Sequence, residues 1–528
     1  MRPCCRQLPG RLDAETRARG RIDCRCRLGI PMWVVSQPSS LDSVVTMSVP
    51  GDPTPAASVP RWFWIGTGAA AVVAAIDFVF LQLASQSLFV DEALTWGVAG
   101  GPLSGLSQRL KAVEITPPLY YFLLHGWMRV LHSQSPTVLR LPSALCAVAL
   151  VVVVCWIGFM VAGPIVGLCS GILVSISPAV ITFGQQARAY APAMLSVSIA
   201  VGCALRAHSS KRNTPWLIGS AAASAISVSL HYSAWPIVAV LCGAIALTPS
   251  LGRAVLRGTY VLICGLAAGA SLPWLTAQLH SGPSIQNLGF SVQHVAEVVG
   301  GPFIGRAPDR WFIFLGAAIV LVVLALHFRK ALERFDWAQR LLIGCAIAPL
   351  LVLFIVTATG HRSMLARYTA VADPLLAILV VWAASRIRRQ LVLIPLGVGL
   401  VGCVLSHRVG YSYYGDVRTG VDVTVAHWRV GDAIVNVTGD QYLDGVVSFY
   451  LEQLGIRGDA IQLTTPSQLR QALEARHRVW ALTTPLTSEV TGKLDAELHI
   501  SQGQLKTFAR LGGAAPIDVV LVSPPSVR

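Results

Sequence analysis

Apolar runs close to one membrane thickness recur along most of the chain. They cover residues 62–84, 139–160, 164–182, 189–206, 216–230, 233–248, 258–276, 311–327, 341–358, 368–384 and 391–407. A helix rises ~1.5 Å per residue, so about 20 apolar residues cross the hydrocarbon core. The pattern predicts an all-α polytopic membrane protein with eleven transmembrane helices. Residues 216–248 form one apolar stretch too long for a single span. Its polar pair His231–Tyr232 marks the break.

A further stretch, PPLYYFLLHGWMRVLH (Pro117–His132), is short for a span and carries His125 and Arg129. Its Trp, Tyr and Arg suit a helix lying in the membrane interface. That choice fixes the sidedness of all that follows. With the N-terminus cytoplasmic, the inner loops are 161–163, 207–215, 249–257, 328–340 and 385–390. With the flanking Arg206, the last four carry Lys211, Arg212, Arg253, Arg257, Arg329, Lys330, Arg334, Arg340, Arg386, Arg388 and Arg389, and the first carries none. The opposite short loops carry only Arg188, Arg306, Arg310, Arg362 and Arg367. The positive-inside rule favours this arrangement. It puts Asp91, the loops 184–190, 231–235, 277–310 and 360–368, and everything after 408 on the outer side.

After residue 408 the pattern changes. DAIVNVTG (432–439), HRVWALTTP (477–485) and PIDVVLVSP (516–524) read as buried strands, and DQYLDGVVSFYLEQLGI (440–456) as an amphipathic helix. The expected organisation is a tail over 1–60, a transmembrane catalytic domain over 61–407 and a small extracytoplasmic α/β domain over 408–528.

Composition supports the membrane reading. Of 528 residues, 54% are hydrophobic and 13% charged, which excludes an ordinary soluble protein. The net charge of +15 comes from 36 Arg against 5 Lys, and the Arg residues punctuate apolar runs. That is cytoplasmic anchoring rather than a nucleic-acid-binding face. The Arg bias, with abundant Ala and Val, hints at a GC-rich bacterial genome and hence a bacterial plasma membrane. Of the 12 Cys, Cys4, Cys5, Cys24 and Cys26 lie in the tail and the other eight in apolar runs, so no disulfide framework is expected. The tail itself is rich in Arg, Cys and Pro and reads as disordered. Its CC and CRC pairs have the wrong spacing for a closed zinc site, and it lacks the h-region of a cleavable signal peptide. Met32 and Met47 are alternative starts.

The candidate chemistry gathers at helix ends on the outer face, where ionisable groups are costly and functional by default. In SLFVDEALTWGVAG (Ser87–Gly100), Asp91 reads either as the N-cap of an interfacial helix or as a general base taking a proton from an attacking hydroxyl. Glu92 beside it faces the helix dipole or, as the second catalytic candidate, positions the acceptor or Asp91. Arg188, Arg362 and Arg367 read either as anchors at the membrane surface or as clamps on a phosphate leaving group. His231 is a packed histidine or a group lining the cavity. Tyr190, Tyr232, Tyr368 and Glu114 are the other candidate lining residues. The set suits a hydroxyl attacking a carbon whose leaving group is a lipid phosphate. No Walker, G-x-S-x-G or H-E-x-x-H pattern points elsewhere.

At these residues the chain resembles a family. DEALTW, PPLYYFLLHGWMRVL, LRLPSAL (139–145), SPAVITFGQQARAYA (177–191), HYSAW (231–235) and ARYTAVADPLLA (366–377) occur in the order found in GT-C glycosyltransferases. The type resembled is polyprenyl-phosphate-mannose-dependent, akin to protein O-mannosyltransferases and lipid A aminoarabinose transferase. The likeness spans 62–407. It implies interfacial helices in the first outer loop and inverting transfer of a mannose- or pentose-like sugar from polyprenyl phosphate to a glycan, lipid or protein acceptor. Asp91 is then the base, with Arg188, Tyr190, Arg367 and Tyr368 the matching positions. Two departures stand out. Thr116 precedes Pro117–Pro118 where the family often has His, and Gln185–Gln186 stands where it often has Gln-Glu. Both remove a side chain able to ionise or to bind a metal, so no cofactor is assigned and a divalent metal stays an open question. Two rivals remain: a transporter or lipid flippase, and a non-catalytic membrane scaffold with an exported binding domain.

Overall fold

The apolar runs are helical, because backbone in hydrocarbon must satisfy its N–H and C=O groups within its own segment. The computed structural model describes residues 59–76, 83, 87–281, 290–305, 310–331, 335–361, 365–409, 417–429, 431–436, 443–454, 461–463, 471, 478–483, 505–511 and 517–523. The expectations for the tail fall on residues 1–58, outside that set.

Helix α1 (Arg61–Ala75) is followed by three short helices, α2 (Val90–Ala99), α3 (Leu103–Val113) and α4 (Leu119–Leu131). Then come α5 (Pro136–Ala162), α6 (Pro164–Ser175), α7 (Pro178–Gly184), α8 (Tyr190–Ser209), α9 (Thr214–Leu230), α10 (Trp235–Ala246) and α11 (Ala254–Ser281). After them lie α12 (Val292–Ile304), α13 (Arg310–Ala331), α14 (Trp337–Val356), α15 (Asp373–Ile387) and α16 (Leu393–Val409). Among the described residues, six helices are long and apolar enough to cross a membrane: α5, α8, α11, α13, α14 and α15. The pair α6–α7, bent by 58°, makes a seventh if it counts as one span. The other expected spans fall on α1, α9, α10 and α16, of 15, 17, 12 and 17 described residues. At ~1.5 Å per residue these reach roughly 18–26 Å, short of a full hydrocarbon core. Helix α4 has 13 residues and is also too short to cross.

Small residues let the helices approach closely. A side chain on Gly167 of α6 would meet the Cys155 carbonyl of α5 at 2.5 Å. The α9–α10 break is locally built: the Ser233 N–H donates to His231 Nδ1 at 3.2 Å, and a single 3-10 turn over Tyr232–Ala234 leads into α10. Helix α12 lies within the stretch 277–310 that reads as a loop. Its Gly-Gly-Pro sequence is a turn signal, yet it is helical because Ala296, Val298, Phe303 and Ile304 are buried, with the helix packed on α13 and α16.

The C-terminal part holds α17 (Val417–Ala426), α18 (Leu443–Gln453) and a five-stranded sheet of order β2-β1-β3-β5-β4. Its strands are β1 (Ala433–Asn436), β2 (Ile461–Leu463), β3 (Val479–Thr483), β4 (Leu505–Leu511) and β5 (Ile517–Val522). β1 is parallel to β2 and β3, while β5 runs antiparallel to β3 and β4. β1, β3 and β5 lie where buried strands are read from sequence, and they carry the buried Ile434, Trp480, Leu482, Val519 and Leu521. β2 and β4 are the edges; one is too short and the other too mixed in polarity to signal itself. Helix α18 packs on α2, with the Phe449 ring edge-on to Trp96 at 5.2 Å.

Candidate active site

The site begins at the N-terminus of α2. The cap is Phe89, whose N–H donates to Glu92 Oε2 at 2.9 Å. Asp91 is therefore inside the first turn, not the capping residue. Its side chain is 24% exposed, whereas Glu92 turns inward and is buried.

The two carboxylates have different partners. Glu92 is held by Arg140, through Nε–Oε1 at 2.8 Å and Nη2–Oε2 at 2.7 Å, and also accepts the Ala187 N–H at 2.9 Å. Arg140 is buried as well, and its remaining donors reach the carbonyls of Leu83 and Ser87. Glu92 thus ties together the start of α2, helix α5 and the loop carrying Arg188. It is the centre of a buried structural ion pair, with both oxygens occupied. Arg140 lies in the quoted LRLPSAL segment but was given no role from sequence; its signal is a charge inside an apolar run.

Asp91 faces two guanidiniums instead. Arg367 Nη1 is 3.4 Å from Asp91 Oδ2, and Arg188 Nη2 is 3.8 Å from the same oxygen. Arg188 is buried and anchored by Glu114, with Nη1–Oε1 at 2.6 Å and Nη2–Oε2 at 3.2 Å. Glu114 Oε2 also accepts the Thr116 hydroxyl at 2.6 Å. Burial pushes the Glu114 carboxyl up, but the Arg188 charge, its hydrogen bond and the Thr116 hydroxyl together hold it below its ordinary value. Burial opposes the charge on Arg188, yet Glu114 and Asp91 outweigh it and raise its pKa well above normal. Charges of opposite sign therefore alternate from Glu114 to Arg188, Asp91 and Arg367. Arg367 is the most open member, 34% exposed, with its guanidinium 5.5 Å from the Tyr368 ring.

The fold brings Tyr190 and His231 together beside Arg188. Tyr190 opens α8, lies 4.7 Å from the His231 ring and 5.9 Å from the Arg188 guanidinium. The Tyr232 hydroxyl donates to Gln278 Oε1 at 3.0 Å, and Gln278 Nε2 in turn reaches the Thr116 carbonyl at 2.8 Å. Gln278 was not singled out from sequence. Arg362 lies outside the described residues.

His231 is buried, and its pKa is pushed down to about 3 by burial, with the charges of Arg188 and Arg367 acting in the same direction. It is neutral near neutral pH and is not placed to donate a proton there. A His whose folded pKa lies below its unfolded one stabilises the fold fully above the unfolded value and loses that contribution as pH falls. Going from pH 7 to pH 5 is expected to remove about 2 kcal/mol through this group. His231→Asn should lose less thermal stability over the same interval; equal losses would show that His231 is not held neutral.

Both oxygens of Glu114 are already occupied, and Thr116 offers only a hydroxyl two positions on. Among the described residues no three His, Cys, Asp or Glu side chains cluster as a metal site would require. This donor set does not fit a divalent cation as it stands.

Residues 116–275 match the family model described as dolichyl-phosphate-mannose-protein mannosyltransferase. The structure of ArnT from Cupriavidus metallidurans bound to undecaprenyl phosphate superimposes with a TM-score of 0.52 and 12% identity, over 87% of this chain and 98% of that one. Its apo form gives the same score and identity, over 87% and 97%. At this identity the likeness to ArnT is one of fold. The archaeal oligosaccharyltransferase AglB from Archaeoglobus fulgidus is similar at a TM-score of 0.45 and 10% identity, over 87% of this chain and 74% of that one, which adds no argument. No curated protein matches by sequence. The family match begins at Thr116, so it takes in Arg140, Arg188, Tyr190 and His231 but leaves out Asp91, Glu92 and Arg367. Those three join the site only through the fold.

Proposed function

We propose that the protein transfers a sugar from a polyprenyl-phosphate donor to an acceptor hydroxyl on the extracytoplasmic side of a bacterial plasma membrane, with inversion at the sugar carbon. The observation that carries this reading is the pairing of a part-exposed Asp91 with two arginines of different freedom, one locked and one open. Asp91 takes the proton of the acceptor O–H as that oxygen bonds to C1 of the sugar. The C1–O bond to phosphate breaks, and its electron pair leaves with the polyprenyl phosphate. Arg367 swings from Asp91 onto the departing phosphate, which frees the carboxylate as a base. Arg188, with its charge largely balanced by Glu114, stays as a fixed wall of the phosphate site. Glu92 positions the start of α2 and takes no proton. Tyr190, His231, Tyr232 and Tyr368 line the sugar and lipid-phosphate cavity.

In this reading the four shorter helices α1, α9, α10 and α16 also span, with the bilayer thinning locally to meet them, giving eleven with the seven others. The N-terminus is cytoplasmic, and residues 408–528 form an outer α/β domain facing the acceptor. The sugar is mannose- or pentose-like, after the family expectation.

The test is sugar transfer by membranes containing the protein, supplied with labelled polyprenyl-phosphate mannose and then with pentose donors. Transfer of label with release of polyprenyl phosphate, above membranes lacking the protein, supports the proposal. No transfer from any polyprenyl-phosphate sugar would return the transporter and scaffold readings. Within the assay, Arg367→Gln should lower kcat by about 10²-fold at unchanged protein level. An unaltered kcat would remove Arg367 from the phosphate site.

A further inference from the structure

The backbone leading into Asp91 is held from two sides. From the membrane part, Arg140 Nη2 donates to the Ser87 carbonyl at 2.9 Å, and Glu92 accepts the Phe89 N–H. From the C-terminal part, the Tyr450 hydroxyl accepts the Leu88 N–H at 2.7 Å, and the Arg418 N–H donates to Ser87 Oγ at 3.0 Å. Tyr450 sits in α18 and Arg418 in the first turn of α17. Both reach a segment more than three hundred residues earlier in the chain, and Tyr450 is buried there. The contact is extended by Phe449 against Trp96, and by Gly445, where a side chain would lie 3.7 Å from Ala93.

A ten-residue helix moves as a rigid body, so the direction of its first turn follows the residues that lead into it. Asp91 is three positions beyond Leu88. Its two arginine contacts, at 3.4 and 3.8 Å, are too long to orient the carboxylate by themselves. The hydrogen bonds to residues 87–89 are shorter, at 2.7–3.0 Å, and those to Tyr450 and from Arg140 are buried. We propose that Tyr450 is a positioning residue for Asp91, and that α17 and α18 complete the transferase site by clamping residues 87–89 from the C-terminal side. This rests on the glycosyltransferase reading above. If it holds, a movement of the C-terminal part on binding an acceptor reaches the base through one buried hydroxyl.

Tyr450→Phe removes only the hydroxyl and keeps the ring against Phe449. A displacement near 1 Å of a reacting group can cost about 10²-fold. Tyr450→Phe is therefore expected to lower kcat by about tenfold or more, with the donor KM within about twofold of wild type and with normal protein level. Hydrogen–deuterium exchange at residues 87–92 should be faster in the variant. Ser87→Ala, which removes the acceptor for Arg418, should shift kcat and exchange in the same direction. It serves as the second variant if Tyr450→Phe accumulates poorly. Unchanged kcat with unchanged exchange overturns the clamp, as does a loss confined to donor KM. If the wild-type protein moves no sugar, the transferase reading fails and exchange alone decides: faster exchange in the variants keeps the clamp, and identical exchange removes it.

Discussion

Asp91→Asn is expected to lower sugar transfer by about 10²–10⁴-fold, the range for losing a positioned general base. The substitution is nearly isosteric and leaves the scaffold intact. Asp91 is not the cap of α2, and its pairs with Arg367 and Arg188 are long and partly open to water. Such pairs contribute roughly 0–1 kcal/mol. Arg188 keeps its bidentate partner Glu114 when Asp91 is neutralised. Thermal stability and membrane level should therefore match wild type, and donor binding should be equal or tighter, because Arg367 is no longer held by a carboxylate. The measurement is kcat with a saturating labelled donor, at protein levels matched by immunoblot. A variant that transfers at the wild-type rate would take the base role from Asp91.

The largest effect on stability is expected one residue away. Glu92→Gln leaves Arg140 buried without a carboxylate, and Arg140→Met leaves the Glu92 charge buried without a cation. Breaking a buried pair from one side costs about 3–5 kcal/mol. Either variant should show a large drop in thermal stability in detergent and poor accumulation in membranes. Removing both charges together, as Glu92→Gln with Arg140→Met, should cost less than the two single losses combined, since no isolated charge remains. Fluorescence-detected thermal unfolding of the four proteins closes the cycle. If Glu92→Gln unfolds at the wild-type temperature yet transfers no sugar, Glu92 acts in the reaction itself and its assignment as a structural centre fails.

These two neighbours show where sequence reading ends. A carboxylate pair just beyond an apolar run is visible at once, and the chemistry of either member is available to both. Which one faces the cleft depends on the α2 register and on Arg140, forty-eight residues later. The same holds for the arginines. From sequence Arg188 and Arg367 read alike, as surface anchors or phosphate clamps, and only packing shows that Glu114 locks the first and leaves the second more exposed. Glu114 itself was read as a lining residue; its grip on Arg188 comes from the turn after α3 meeting the loop before α8. Helix α12 was hidden because its Gly-Gly-Pro sequence reads as a turn, and contacts with two other helices override that local preference.

The sequence by itself determined that this is a helical membrane protein, with apolar runs in a definite order and ionisable residues set between them. Those properties are local: hydropathy, length and charge bias act segment by segment. The tertiary structure alone decided which carboxylate is buried, which arginine is the more exposed, and that α18 reaches back to the segment before Asp91. Those are pairings between residues tens to hundreds of positions apart, and no periodicity along the chain encodes them.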